Sequence, residues 1–124
     1  MENLTLYMYS YDTSKNLNPF STVEVEIEKR IEIHHGNMFK LKNSEYKFVG
    51  SNEINDLNWI FNKSFNEDYK FYWYSWNKDV NTMNKFKNGI KEILNRKISR
   101  LAKEVDKLRN LSDSIQFEEE ENND

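Results

Sequence analysis

The sequence predicts an α+β fold, in which an N-terminal antiparallel β-sheet (a meander) is followed by a long C-terminal helix or helical hairpin. Three patterns indicate this class. Apolar and polar residues alternate with period two over residues 22–28, as in a half-buried strand. Six of the eight residues 69–76 are aromatic, which favours a strand. Apolar residues recur at steps of three and four over residues 83–115, as on one helix face.

The first strand is predicted over residues 4–11, where aliphatic residues alternate with tyrosines. The aliphatic side chains would face a core: Leu4, Leu6 and Met8. The tyrosines would face a second layer or a partner: Tyr7, Tyr9 and Tyr11. A loop over residues 12–21, which holds the only proline, ends this strand.

The second strand is predicted over residues 22–33, because Ile31 and Ile33 keep the parity of the preceding apolar positions. Lys29 falls on the apolar side, which indicates a bulge or a strand end. The glutamates would share the opposite, solvated face: Glu24, Glu26, Glu28 and Glu32. Turn residues at 34–37 then predict a hairpin into a third strand over 38–42.

A fourth strand is predicted over residues 46–49, and the segment 51–69 after it fits two structures. Ser51 or Asn52 would cap a short helix. Its apolar residues would have helical spacing: Ile54, Leu57, Phe61 and Phe65. The β-propensity of residues 59–61 favours a strand instead. We expect the short helix, with the strand as the alternative.

The aromatic segment 69–76 is predicted as the last strand of the sheet. Phe71 and Trp73 would then share one face. The other face would carry the remaining aromatics of the strand: Tyr72, Tyr74 and Trp76. Because both faces are aromatic, neither is an ordinary solvated face.

The C-terminal part is predicted as helical over residues 79–117. Its apolar positions begin in one register: Met83, Phe86, Ile90 and Ile93. From Leu94 they continue as a heptad, displaced by one residue. This displacement, close to Gly89, favours a kink or two helices. A helix of this length exceeds what a small sheet covers, so we expect a helical hairpin or a homo-oligomer, a dimer or higher.

Charge is unevenly distributed along the chain, which has a net charge of −3. Residues 1–78 hold nine Lys/Arg against eleven Asp/Glu, and residues 79–117 hold nine against five. The acidity therefore comes mainly from residues 118–124, which carry five acidic residues. We expect one α+β domain over residues 1–117, with 1–78 mainly β and 79–117 helical, and an acidic disordered tail over 118–124.

The residue types argue against an enzyme. There is no cysteine, no Gly-x-Ser-x-Gly motif and no Gly-rich phosphate loop. His34 and His35 are adjacent and lack a local third ligand, so they fit a turn or strand end better than a metal site. We expect no catalytic residue, no metal and no cofactor. No apolar run is long enough to span a membrane, so we also expect no membrane partner and a cytoplasmic location.

A binding site is better supported, because aromatic faces stack on bases and guanidinium groups hold phosphates. The aromatic strand directly precedes a basic helix that carries Arg96, Arg100 and Arg109. Free N–H groups at the helix start would also favour anions, and nearby side chains add amide donors: Asn77, Asn81, Asn84 and Asn88.

Two alternatives remain open for these residues. The aromatic strand is explained equally well as part of the core or of a subunit interface as by a ligand site. Arg109 follows Glu104 by five residues, which is the spacing of an interhelical salt bridge in a coiled coil. The modest positive charge disfavours long nucleic acid as a ligand.

In its layout the chain resembles the first type of Thoeris anti-defence proteins, which are small phage proteins. The matching parts are the aromatic segment 71–76 and the helix with its three arginines. The resemblance implies an antiparallel sheet followed by helices, a homo-oligomer, and a site in the host cytoplasm during phage infection. It also implies a non-enzymatic sponge that sequesters a cyclic nucleotide-derived immune signal, a glycocyclic ADP-ribose isomer, and so blocks activation of the Thoeris effector.

On this interpretation the ligand-binding residues are Phe71, Tyr72, Trp73, Arg96, Arg100 and Arg109. Phe71 or Trp73 would stack on the adenine, and Arg109 and Arg100 would hold phosphates across a subunit interface. The alternative is a phage inhibitor that acts by direct protein–protein binding or by nucleic-acid mimicry, through the acidic tail and the glutamates of the second strand. A structural oligomer of a virion is a third hypothesis.

Overall fold

The computed structural model describes residues 5–64 and 67–119 and confirms an α+β fold. Six strands form one antiparallel sheet of order β4-β3-β2-β1-β6-β5. The strands are β1 (Leu6–Asp12), β2 (Phe20–Ile33), β3 (Gly36–Lys42), β4 (Phe48–Gly50), β5 (Phe61–Asn62) and β6 (Lys70–Ser75). A 3-10 helix spans Leu57–Trp59, and the helix α1 spans Val80–Ser114. The first four strands form the predicted meander, and β6 adds to the free side of β1.

The contacts cluster into two compact units that meet between Lys91 and Glu92. The first unit holds the sheet and the start of α1, and the second holds the rest of α1 and the residues after it. The single domain over residues 1–117 stays a prediction. Glu118 and Glu119 have no regular secondary structure, and the rest of the acidic tail lies outside the described residues.

The register of β1 and β6 assigns their side chains to two faces, because directly paired residues of antiparallel strands share a face. Met8 pairs with Tyr74, and Tyr9 pairs with Trp73. The face of Met8 and Tyr74, called here the core face, carries the main apolar cluster: Leu6, Val25, Leu41, Val49, Ile54 and Tyr74. The strand faces predicted for residues 6–11 and 71–76 are therefore confirmed, while Leu4 lies outside the described residues.

The sheet curls, so that the segment between β3 and β4 reaches the β5–β6 edge. The rings of Tyr46 and Phe61 have centroids 4.4 Å apart. The hydroxyl groups of Ser44 and Tyr74 lie 2.7 Å apart. At the same edge Lys63 forms an ion pair with Glu45, with an N–O distance of 2.9 Å. These contacts close the open side of the core face.

The opposite face, called here the helix face, is covered by the first turns of α1. The ring of Phe86 contacts those of Tyr9 and Trp73, at centroid distances of 5.9 Å and 6.0 Å. The second layer predicted for the tyrosines of β1 is thus the helix of the same chain. Burying these aromatic rings between the sheet and α1 stabilises the contact of the two elements.

A β-bulge between Ile27 and Lys29 interrupts the pairing of β2 with β3 and confirms the irregularity predicted at Lys29. At the bulge, two residues of β2 oppose one residue of β3. The side chains after the bulge therefore lie on the opposite faces from those that the alternation before it predicts. Ile27 pairs with Leu41, whereas Ile31 pairs with Met38 and lies on the other face. The prediction that Ile31 and Ile33 keep the earlier parity is wrong for this reason.

The bulge also divides the glutamates of β2. Glu26 pairs with Lys42 before the bulge, and Glu32 pairs with Asn37 after it. Because the parity inverts between them, the two side chains lie on opposite faces of the sheet. The single acidic face predicted for this strand is therefore not formed.

The short helix expected in residues 51–69 is wrong. Residues 51–55 form turns, in which Asn55 has a positive φ of 65°. Asp56, and neither Ser51 nor Asn52, caps the 3-10 helix by accepting from the N–H of Asn58 at 2.9 Å. A strand follows at once, as the alternative predicted. The β-propensity of residues 60–61 and the left-handed Asn55 prevail over the helical spacing. Phe65 lies outside the described residues.

The described C-terminal part holds one helix, α1, so the predicted helical hairpin is wrong. Gly89 is helical and allows a close approach, because a Cβ there would lie 2.6 Å from Cδ1 of Ile60. It therefore marks a packing contact within the first unit and not a break between two helices. In the described residues no helix is long and apolar enough to cross a membrane.

Candidate functional site

The three aromatic residues predicted to bind a ligand are packed inside the first unit. Phe71, Tyr72 and Trp73 expose 0%, 8% and 1% of their surface. Phe71 and Trp73 lie on the helix face, and Tyr72 lies on the core face. The indole N–H of Trp73 donates to the carbonyl oxygen of Asp56 at 3.0 Å. In this conformation none of the three rings has a free face on which a base could stack. Their burial agrees with the alternative that the aromatic strand belongs to the core.

Three tyrosines of the sheet, Tyr9, Tyr72 and Tyr74, are buried. Burial raises the pKa of Tyr9, Tyr72 and Tyr74 above the ordinary value of 10.0. Tyr9 remains a neutral donor, and its hydroxyl bonds to the carbonyl oxygen of Asn77 at 2.7 Å. A phenol with a raised pKa is a poor base and a poor nucleophile at neutral pH. The hydrogen bond of Tyr9 therefore fixes the segment before α1 against the sheet.

A small polar pocket beside Trp73 is one candidate site. It has a volume of about 160 Å³ and is lined by Asn55, Trp73, Ser75, Asn77, Thr82 and Lys85. Its polar groups already bond to one another, since Ser75 donates to Asn55 and accepts from the N–H of Asn77 at 3.1 Å. Ligand pockets for nucleotide-sized molecules have volumes of about 300–1,000 Å³. This pocket is too small for such a ligand.

A carboxylate caps the start of α1, where the sequence predicted free N–H groups that would favour an anion. The carboxylate of Asp79 accepts from the N–H of Thr82 at 2.6 Å. The hydrogen bonds from the backbone and side chain of Thr82 lower the pKa of Asp79. A carboxylate thus already caps this end and would repel an anionic ligand.

The second unit holds a basic surface on α1 that contains two of the predicted arginines. An open depression of about 370 Å³ is lined by Asn95, Arg96, Ser99, Arg100 and Lys103. We call this surface the basic groove. Its side chains recur at steps of three and four, so they share one face of the helix. In the part of the chain that the structure describes, no acidic side chain forms an ion pair with Arg96, Arg100 or Lys103.

Arg109 lies on a different face of α1. At 3.6 residues per turn it is rotated by about 140° from Arg96 and by about 180° from Arg100. The six predicted site residues therefore fall in both units, and only Arg96 and Arg100 share a surface. The sequence prediction missed Asn95, Ser99 and Lys103, which the same helical spacing identifies.

The described residues contain no group of three or more His, Cys, Asp or Glu side chains that could hold a metal ion. His34 and His35 are exposed beside the β2–β3 turn, with ring centroids 4.6 Å apart. This placement agrees with the turn interpretation of the pair.

Comparison with known proteins returns no relationship on which to base a function. No protein-family model, no curated protein and no solved structure matches this chain.

Proposed function

We propose that this chain is a non-enzymatic phage anti-defence protein that sequesters a cyclic nucleotide-derived immune signal, a glycocyclic ADP-ribose isomer. The observation that carries the proposal is the basic groove, in which three cationic side chains share one helix face. The resemblance to Thoeris anti-defence proteins supplies the ligand class. Sequestration before the signal reaches the Thoeris effector requires tight binding and no turnover.

The charges of the groove support an anionic ligand. Arg96 and Arg100 are four residues apart, and like charges at this spacing destabilise a helix by about 0.2–0.5 kcal/mol. Lys103 extends the same face, and Asn95 and Ser99 add neutral hydrogen-bond donors beside the cations. A pyrophosphate bound there would relieve the repulsion and accept charge-assisted hydrogen bonds from the guanidinium groups.

The proposal assigns the phosphates to the basic groove and assigns no stacking to the buried aromatic strand. Phe71, Tyr72 and Trp73 act as core residues of the sheet, and Trp73 also packs on Phe86 of α1. The adenine and ribose groups of the ligand would then bind elsewhere on the assembled protein. This division follows from the burial of the rings.

The substitutions Arg96→Gln and Arg100→Gln, made together, test the groove. Each lost charge-assisted hydrogen bond costs about 1.5–3 kcal/mol, so we expect at least a tenfold loss of affinity for a glycocyclic ADP-ribose isomer. Isothermal titration calorimetry at fixed ionic strength measures it. A matched control replaces two exposed lysines of the first unit, Lys47 and Lys91, by glutamine and retains the affinity. Equal losses in both variants would contradict a specific groove.

Deletion of residues 118–124 separates this proposal from nucleic-acid mimicry. We expect the truncated chain to bind the isomer with unchanged or slightly higher affinity, because the deletion removes five negative charges. An inhibitor that works through its acidic tail would lose its function instead. Replacing Glu118–Glu121 by glutamine controls for the length of the tail.

A further inference from the structure

The second unit exposes an apolar stripe along α1. Every residue from Ile98 to Ser114 is exposed in the single chain. The stripe includes Ile98, Leu101, Val105 and Leu108, which expose 62%, 45%, 43% and 64% of their surface. An unpacked helical segment of this length is marginally stable in water, because most helical stability comes from the packing of an apolar face. We therefore expect a partner surface to cover the stripe.

The types of residue in the stripe fit a second copy of the same chain. Starting with Leu94 at position d, the heptad has β-branched residues at a and leucines at d. The seam has Ile98 and Val105 at a and Leu94, Leu101 and Leu108 at d, and it ends where Ser112 occupies the next a position. This combination favours parallel two-stranded coiled coils. We propose that two copies pair in parallel and in register through this seam.

The charges beside the seam agree with a parallel arrangement. Glu104 occupies a g position, and Arg109 occupies the e position five residues later. In a parallel pair these two side chains face each other across the seam, once in each direction. The neighbouring g–e pairs, Lys97 with Ala102 and Leu111 with Gln116, bring no like charges together. This charge complementarity favours the register in which each d residue packs against the same residue of the second copy.

The proposed seam leaves the basic groove accessible. Arg96 and Lys103 occupy f positions, and Arg100 occupies a c position, all on the outside of a two-stranded coil. A dimer would therefore present two grooves, each complete within one copy. For this reason failure of the dimer and failure of ligand binding are separable results.

Disulfide trapping tests the arrangement directly, because the chain has no cysteine of its own. In the full chain, Ile98→Cys places one thiol at an a position near one end of the seam. A parallel pair brings two such thiols together, so mild oxidation is expected to convert most of the protein to a disulfide-linked dimer. Asn110→Cys, at an outward f position, is the matched control and stays monomeric on a non-reducing gel. An antiparallel pair separates the two copies of residue 98 and gives no cross-link, which overturns the proposal. Equal cross-linking of both variants also overturns it.

Sedimentation equilibrium gives a second, independent readout. The unmodified chain is expected to double its mass as its concentration rises, and Leu101→Asp is expected to remain a monomer. Leu101 is exposed in the single copy, so this substitution leaves the sheet intact, which near-ultraviolet circular dichroism of the aromatic core verifies. Asn110→Asp serves as the control and still dimerises. A chain that stays monomeric at every concentration, or a dimer that survives Leu101→Asp, contradicts a second copy as the occupant.

Discussion

Phe71 and Trp73 are buried on the helix face, where Trp73 stacks on Phe86 of α1. Phe71 lies 6.2 Å from Tyr11, and Trp73 lies 5.6 Å from Tyr9, measured between ring centroids. The sequence predicted which of these rings share a face, because strand periodicity fixes it. It left open whether that face contacts a ligand or a helix. A stacking site and a packed core both use large planar rings, so only the tertiary contacts distinguish them.

Replacement of Phe71 by alanine tests this assignment. Removing a fully buried ring leaves a cavity, so we expect the free energy of unfolding to fall by about 3–5 kcal/mol. Urea denaturation measures the change, and Leu17→Ala, at a residue that is 101% exposed, should change it by less than about 0.5 kcal/mol. If the Phe71→Ala protein were folded and as stable as the wild type but no longer bound the isomer, Phe71 would be a ligand-binding residue and not a core residue.

Asp79 contributes a pH-dependent term to stability. Its pKa is lowered from 3.8 by hydrogen bonds from Thr82, so the unfolded state binds more protons in acid. The stabilisation is complete above the ordinary pKa and is lost as the pH falls through the lowered one. Asp79→Asn keeps a capping side chain but cannot ionise, so its unfolding free energy should fall less between about pH 5 and pH 3. Urea titrations across this range measure it, with Asp113→Asn as the control. Parallel curves for the wild type and Asp79→Asn would contradict the assignment.

At the scale of elements, local signals identified most strands and missed three features. The bulge in β2 was indicated by Lys29, but its effect on the parity of Ile31 required the pairing with β3. The segment around Leu57–Trp59 has helical spacing, yet Asn55 and Asp56 begin a short 3-10 helix that leads into β5. Gly89 lies near the register change that favours a kink or two helices, but it permits the close approach of Ile60 within a continuous helix.

A double-mutant cycle tests the role of Gly89. Alanine has a higher helix propensity than glycine by about 0.8–1 kcal/mol. In an Ile60→Ala background, Gly89→Ala should raise the free energy of unfolding by about this amount. In the wild-type background the new Cβ would meet Ile60 Cδ1 at 2.6 Å, so the gain should be smaller or reversed. The cycle is measured by urea denaturation, and equal effects in the two backgrounds would contradict the close packing.

At the scale of the whole molecule, the chain combines a sheet with cores on both faces and a long helix with an exposed C-terminal half. The sequence predicted the helix and its heptad from spacing alone. It did not predict that α1 is continuous, because the one-residue displacement between its two registers also fits a hairpin. The same helix supplies the layer over the sheet, the basic groove and the apolar stripe, so one element serves packing, proposed ligand binding and proposed assembly.

Native mass spectrometry of the full chain with a glycocyclic ADP-ribose isomer tests the proposed sequestration most directly. We predict a complex whose mass equals protein plus intact ligand, with the ligand recovered unchanged after heat denaturation of the protein. The Arg96→Gln, Arg100→Gln variant should lose the complex, and the Lys47→Gln, Lys91→Gln control should retain it. Absence of a complex with the unmodified chain, or recovery of a cleaved ligand, would contradict the account.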